Sequence, residues 1–348
     1  MEEIKICASK TYFAAANSYR GFISLFDEVF NPRHFKHIYV IKGGPGTGKS
    51  SLMKKIFKSF GNEGYYTEAI YCSSDPVSLD GVIIKKNENS VALLDGTAPH
   101  ERDAIIPGAI DEIINLADGF NKEELSRQRE DILSLTDRKK QAYKKAYSML
   151  DVAGNIWRQI YTISRDMTSY FAAEHISEKL SAFSESGNFG EPLRLFSSAF
   201  NKCGYTTTDI FHDDKRRKIK LSGDGITEHI ILGLLYKKLR QKGALITVCP
   251  SPLESSIFDK IITEDIIYEI NHQGADYDTK AIIEKNNSTV TELYQLHTKL
   301  LLLAQGAFKE ASDFHFSLED IYKNAIDFEN NNRIEARLYS EILKYLNS

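Results

Sequence analysis

Cysteine is scarce in this chain and never closely paired. Cys7, Cys72, Cys203 and Cys249 are its four cysteines. Their wide spacing, with no Cys-x-x-Cys, argues against a zinc site and against a disulfide framework, so buried reduced thiols are expected. An excess of one charge is also missing. With 44 Lys and Arg against 48 Asp and Glu, the net charge is -4, which offers polyanions no global attraction and makes an extended nucleic-acid surface an unsupported reading. Long hydrophobic runs are absent as well. The longest strongly apolar stretch, Leu300 to Ala304, falls far short of the roughly 20 residues that cross a bilayer. Met1-Glu2-Glu3-Ile4-Lys5 has neither the basic region nor the apolar core of a signal peptide. Together these absences predict a cytoplasmic location and no membrane partner. What remains is an ordinary globular composition over 348 residues, long enough for two domains.

Gly43-Gly44-Pro45-Gly46-Thr47-Gly48-Lys49-Ser50 fits the phosphate-loop pattern G-x-x-x-x-G-K-[ST]. A strand-like run, Ile38 to Ile41, precedes it and a helix-like run, Leu52 to Phe57, follows. Glycines at 43, 46 and 48 permit backbone angles closed to other residues, so successive N–H groups can turn inward around a polyphosphate at a helix N-terminus. Lys49 is expected to reach the β- and γ-phosphates, and the Ser50 hydroxyl to ligate Mg2+, while Pro45 stiffens the turn. The expected ligands are ATP and Mg2+, held along Gly43, Gly44, Pro45, Gly46, Thr47, Gly48, Lys49, Ser50 and Ser51.

Val91-Ala92-Leu93-Leu94-Asp95 reads as a buried strand ending in a carboxylate, the place of an aspartate that holds Mg2+ through water. Gly96 follows where many rapid ATPases carry a general-base glutamate, so the activation of water is unassigned. His100, in the loop leaving that strand, faces the carboxyl edge of the sheet, where it either senses the γ-phosphate or is a solvated loop histidine. Asp75 and Asp80 leave a neighbouring strand toward the same edge and read first as turn residues, second as metal or substrate ligands. Arg20, Arg33 and Arg102 are the arginines near enough in sequence to stabilise γ-phosphate charge, and each reads first as a salt-bridge partner. Trp157 with Tyr143, Tyr147 and Tyr161 forms an aromatic stripe that reads as packing.

The spacing predicts an α/β fold with parallel sheets and crossover helices, arranged as residues 1–118, a helical extension over 119–186, a second sheet domain over 187–273, and a C-terminal helical extension over 274–348. Each extension is expected to be a helical hairpin on its own sheet. The second sheet domain repeats the first. Phe13-Ala14-Ala15-Ala16 finds a counterpart in Phe196-Ser197-Ser198-Ala199, Arg20-Gly21-Phe22 in Cys203-Gly204-Tyr205, Cys72 in Cys249, and Ser78-Leu79-Asp80 in Ile257-Phe258-Asp259 after a two-residue insertion. In that alignment Thr227, Glu228 and His229 replace Gly48, Lys49 and Ser50, so the second loop is expected to be degenerate.

Ile41 to Leu52, Cys72-Ser73-Ser74-Asp75 through Ser78-Leu79-Asp80-Gly81, and Leu94-Asp95-Gly96-Thr97-Ala98-Pro99-His100 together resemble a little-characterised bacterial family of tandem P-loop ATPases, described no further than as ATPases or nucleotide-kinase-like proteins. The resemblance spans the chain, with specific motifs in its first half. It implies two P-loop sheets in tandem and ATP as ligand, but no firm substrate. Gly225 to His229 departs from the second phosphate loop that members tend to carry. The expected function is a Mg2+-dependent ATPase coupled to a conformational change or an unknown protein or small-molecule partner. A small-molecule or nucleotide kinase and a nucleotide-occupied scaffold are the alternatives. No Asn-Lys-x-Asp for reading guanine is present, so ATP rests on the resemblance and on base rate.

Overall fold

The computed structural model describes residues 8–185, 187, 190–211, 214–223, 225–271, 276–279 and 288–348. Met1 to Lys5, Cys7 and Asp224 lie outside the described residues. The chain forms a mixed α/β structure built on two sheets. In the first half the strands are β1 (Lys10–Phe13), the hairpin β2 (Ala15–Ser18) and β3 (Gly21–Ser24), then β4 (His37–Lys42), β5 (Tyr66–Tyr71), β6 (Leu79–Lys86), β7 (Asn89–Asp95) and β8 (Asp111–Asn115). In the second they are β9 (Leu193–Arg194), the hairpin β10 (Ser198–Asn201) and β11 (Gly204–Thr207), then β12 (Arg217–Ser222), β13 (Thr247–Pro250), β14 (Phe258–Ile262), β15 (Ile266–Ile270) and β16 (Tyr277–Asp278).

The first sheet has the order β1-β5-β6-β7-β4-β8 and the second, read in the matching direction, β9-β13-β14-β15-β12-β16. Every pairing has the same sense in both: the first and the last two are parallel, and the middle strands β6 and β14 run against both neighbours. The sheets are therefore mixed, not parallel as the sequence pattern predicted. The cause is local. Lys86 pairs with Asn89, leaving only Asn87 and Glu88 to turn the chain, with Asn87 at φ 54. A two-residue loop with a positive-φ Asn makes an antiparallel hairpin and leaves no room for a crossover helix.

Register corrects one detail of the repeat. Both sheets carry a bulge at the same place, between Ile70 and Tyr71 and between Cys249 and Pro250. The residue after it donates to Ser78 O in one half and to Ile257 O in the other, and that residue is Cys72 or Ser251. Ser251, not Cys249, is thus the counterpart of Cys72, and no two-residue insertion follows. Cys203 is exposed, against the expectation of buried thiols; Cys72 is half-buried and Cys249 buried, and all three are free.

Phe13 and Phe196 each lie two residues before a hairpin strand, and each donates its N–H to the other's carbonyl at 2.9 Å. A residue paired reciprocally with its own counterpart marks a local twofold relation, the isologous arrangement of a symmetric dimer realised within one chain.

The helical extensions follow that relation rather than forming a hairpin on each sheet. The long helices Arg129–Met167 and Ser288–Asn324 pack antiparallel: the Arg138 guanidinium lies over Phe314 and Tyr143 and Tyr147 meet Phe308 edge-on. Near the other end, Ile160 and Tyr161 share a cluster with Val290 and Tyr294. The aromatic stripe of Tyr143, Tyr147, Trp157 and Tyr161 is spent on this packing. The two following helices then exchange sheets. Tyr170–Ser181 buries Ala173 and Leu180 among Ile219, Leu221 and Ile231 of the second half. Phe328–Asn347 buries Leu338, Ile342 and Leu346, spaced by four to form one stripe, in the core of the first half with Ile38 and Val40. Full burial of three such side chains contributes on the order of 1.5–3 kcal/mol each, enough to hold the exchanged helix in place.

Candidate active site

β4 reads His-Ile-Tyr-Val-Ile-Lys and is buried along nearly its whole length, as a strand flanked by parallel neighbours requires. It pairs Ile41 with Asp95 on β7 and Lys42 with Asn115 on β8, so Asp95 and the glycine loop leave the sheet at one carboxyl edge. Helix Lys49–Asn62 starts directly after Gly48 and buries Leu52, Met53, Ile56, Phe57 and Phe60. Two glycines have a steric reason. Gly48 is left-handed at φ 86 and caps the helix, and Gly46, at φ 71, would put a Cβ 2.5 Å from the carbonyl oxygen of Glu319. Pro45 stands directly before Gly46, and Ser51 lies exposed in the first helical turn.

Lys49 lies across the loop. Its ammonium donates to Gly43 O at 2.8 Å and Gly44 O at 3.1 Å and stands 3.7 Å from Asp95 Oδ2. Asp95 Oδ1 accepts from the N–H and the hydroxyl of Thr97 at 2.9 and 2.6 Å, which fixes the carboxylate and turns its other oxygen to Lys49. The Ser50 hydroxyl accepts from Leu79 N–H at 3.0 Å, and Thr47 Oγ1 donates to Gly44 O at 2.9 Å. The structure thus brings Lys49, Ser50 and Asp95 together.

His100 joins them and is no solvated loop residue. It is 8% exposed, packed edge-on against Phe26 with ring centroids 4.3 Å apart, with Nε2 3.4 Å from Asp80 Oδ2. Nδ1 lies 3.2 Å from Thr97 O. A carbonyl only accepts, so the proton is assigned to Nδ1 and Nε2 faces Asp80 as an acceptor. Burial pushes the His100 pKa down to about 4. Burial, reinforced by the charge of nearby Asp95, holds the Asp80 carboxyl well above the usual range. Both directions favour the uncharged forms, His100 as neutral imidazole and Asp80 as carboxylic acid. Asp80 lies inside strand β6, beside His100, rather than in a turn. The available signal was its place inside the apolar run Leu79 to Ile84, where a carboxylate has no packing role.

Asp75 is held elsewhere. It accepts from Ser78 Oγ at 2.8 Å and pairs with Lys202 of the second half at 2.9 Å. The candidate arginines are engaged or placed elsewhere. Arg102 is buried with its guanidinium 3.7 Å from Asp111, Arg20 is largely exposed 4.0 Å from Glu254, and Arg33 is exposed. Sequence reasoning missed three neighbours. Lys42 bridges Gly96 O and Asp103, each at 2.8 Å. Lys139, from the long helix, has its pKa lowered by burial and by the charges of Lys140 and Lys49. Asn331, from the exchanged helix, donates Nδ2–H to Thr47 O at 2.8 Å.

Among the described residues no group of three or more His, Cys, Asp or Glu could hold a metal on its own, and no helix is long and apolar enough to cross a membrane. Mg2+ needs no such cage beside phosphates, where one or two side-chain oxygens and waters complete the octahedron. The Ser50 hydroxyl and the Asp95 carboxylate fit that donor set.

At the corresponding edge of the second sheet, Leu221 pairs with Ile270 where Ile41 pairs with Asp95. Helix Thr227–Gln241 opens on Thr227 and Glu228. Glu228 is fully buried and accepts from Gly225 N–H at 3.0 Å. His229 Nδ1 lies 2.9 Å from Phe258 O and 4.0 Å from Asp259. Among the described residues, neither the ammonium nor the strand-end carboxylate of the first site has an equivalent here. Compared with family models, with curated proteins and with solved structures, the chain matches none.

Proposed function

We propose that the protein is a Mg2+-dependent ATPase with tandem P-loop-type sheets, of which only the first binds nucleotide. The observation that carries this reading is the meeting of Lys49, Ser50 and Asp95 at the carboxyl ends of two adjacent parallel strands, beside a glycine loop that opens a helix. Backbone N–H groups and Lys49 would hold the phosphates, and Ser50 and Asp95 the metal, which when bound would neutralise charge developing on the phosphoryl oxygens. Gly96 leaves no carboxylate directly after Asp95, and the Asp80–His100 pair answers that gap. Asp80 could pass its proton to His100 Nε2 while its carboxylate takes one from water or a hydroxyl, so that the pair as a whole acts as the base.

The kinase reading differs only in whether that hydroxyl belongs to water or to a substrate. Incubation of the purified protein with labelled ATP and Mg2+ separates the outcomes. Label released as free phosphate supports the ATPase, label on a metabolite the kinase, and retention in intact ATP a nucleotide-occupied scaffold.

A further inference from the structure

Next to the glycine loop the surface opens into a groove of about 540 Å³, lined among others by Asn115, Phe120, Lys122, Leu125, Arg129 and Ile132. That volume lies within the roughly 300–1,000 Å³ of ligand pockets. Its placement is set by register. Asn115 ends β8 directly opposite Lys42, the residue before Gly43. The Phe120 ring comes within 3.8 Å of where a Cβ on Gly44 would stand, and Tyr322 within 3.9 Å of the same point; the two rings are 5.3 Å apart. An aromatic surface therefore continues the wall of the phosphate loop into the groove. At one end Asn115 Nδ2 donates to Asp118 Oδ1 at 2.7 Å, which leaves the second Asp118 oxygen to accept from a ligand. Lys122 and Arg129 put positive charge on the rim.

We propose that this groove binds the adenine base and ribose of the nucleotide whose phosphates lie in the glycine loop. The inference rests on the phosphate-loop reading above. Phe120 offers the flat π face on which a base stacks, Leu125 and Ile132 add apolar lining, and Asp118 accepts from the exocyclic amine. Ligands in open α/β sheets lie outside the carboxyl ends of the strands, and the groove occupies that edge beyond β8.

The test compares Mg-ATP with Mg-tripolyphosphate, which has the phosphates and no nucleoside, by calorimetry on the full chain. The wild type is expected to bind ATP the more tightly. Phe120→Leu should lower ATP affinity about 10-fold, the scale of one lost base-stacking contact, and leave tripolyphosphate affinity unchanged. Leu125→Trp, which fills the groove instead of emptying it, should do the same, so a folding defect in either variant is recognised by its failure to bind tripolyphosphate. Equal binding of both ligands by the wild type, or ATP affinity unaltered in both variants, overturns the groove while leaving the loop standing. Binding of neither ligand by the folded wild type removes the phosphate-loop reading and the groove with it.

Discussion

The loops that leave β4 and β12 start from the same position in two copies of one sheet and handle charge in opposite ways. The first presents an ammonium: Lys49 lies over its own loop carbonyls, 3.7 Å from Asp95. The second turns a carboxylate inward, with Glu228 fully buried and accepting the Gly225 N–H. A helix N-terminus attracts negative charge whatever its source. In the second half the chain supplies that charge itself, and an external phosphate would meet a like charge at its binding position. The second copy is retained for other duties. It sends Lys202 to Asp75, Asn331 to the carbonyl of Thr47, and a helix into the first core. The comparison teaches that two sheets of the same strand order can carry opposite charges at the same loop while one half braces the other.

The largest expected effect breaks or upholds this asymmetry outright. Lys49→Ala should weaken Mg-ATP binding by about 100-fold or more, since the phosphate cluster loses its main charge-assisted donor. Glu228→Gln should leave ATP affinity within about 2-fold, a difference of roughly 0.4 kcal/mol. Calorimetry reads both, together with a stoichiometry of one nucleotide per chain. Two equivalent sites, or loss of binding in Glu228→Gln, would end the distinction.

How much of this asymmetry could be read from the sequence depends on distance along the chain. The glycine loop is local: strand, turn and helix start fall within a few residues, so Gly43 to Ser50 show their arrangement without tertiary information. Asp95 is legible for a similar reason, since an apolar run ending in a carboxylate marks a strand end. Asp80 is not, because its approach to His100 depends on β6 being inserted antiparallel beside β7. The exchange of helices was also hidden. Leu338, Ile342 and Leu346 announce a buried stripe, but a stripe does not say which sheet will cover it. The match of Cys72 to Cys249 failed because identity of residue type outweighed a bulge that only hydrogen bonding reveals.

Two of the buried histidines, one from each half, sharpen the comparison through pH. His100 and His297 are each 8% exposed, and burial lowers the pKa of each to about 4. A histidine with a folded pKa below its unfolded value stays neutral in the native state while the unfolded chain takes up a proton. Its contribution is present above pH 6.5 and lost as pH falls from there toward 4, by up to about 3 kcal/mol at 1.36 kcal/mol per unit. Denaturant titrations at pH 7 and pH 4.5 should show a smaller acid loss in His100→Gln and in His297→Gln than in the wild type. Only His100→Gln should also slow phosphate release, because His297 is spent on the hydroxyl of Tyr19 at 2.7 Å. Equal slowing in both variants would place the effect in packing rather than in the reaction.

Glu228 offers a test of what the second loop gained. Its removal leaves the Gly225 N–H without the carboxylate it now meets, so Glu228→Ala should cost about 2 kcal/mol in urea denaturation. Ser50→Ala, whose hydroxyl accepts one backbone N–H in the half-buried first loop, should cost about 1 kcal/mol or less and chiefly reduce the Mg2+ dependence of binding. Glu228→Lys should not create a second nucleotide site, because the partner strand offers Ile270 where the first half has Asp95. A second binding event in Glu228→Lys would show that the lysine alone defines the site.

The smallest expected effect concerns the contacts made with the loop region near the start of each exchanged helix. Asn331, buried at the start of helix Phe328–Asn347, donates to Thr47 O and lies against Gly48, so close that a Cβ there would be 2.9 Å from its Nδ2. In the ATPase reading it would act on nucleotide through the loop backbone, as a positioning residue. Loss of one such hydrogen bond is worth about 1 kcal/mol, so Asn331→Ala should lower ATP affinity roughly 5-fold, with kcat per bound nucleotide little changed. The corresponding junction in the other half brings Thr168 Oγ1 within 3.3 Å of Thr227 Oγ1, beside the loop that carries Glu228 in place of Lys49. Thr168→Ala should therefore alter stability slightly and ATP affinity not at all. If Thr168→Ala weakens ATP binding as much as Asn331→Ala does, the two junctions act together through the antiparallel helix pair, and the second half transmits to the first site rather than merely bracing it.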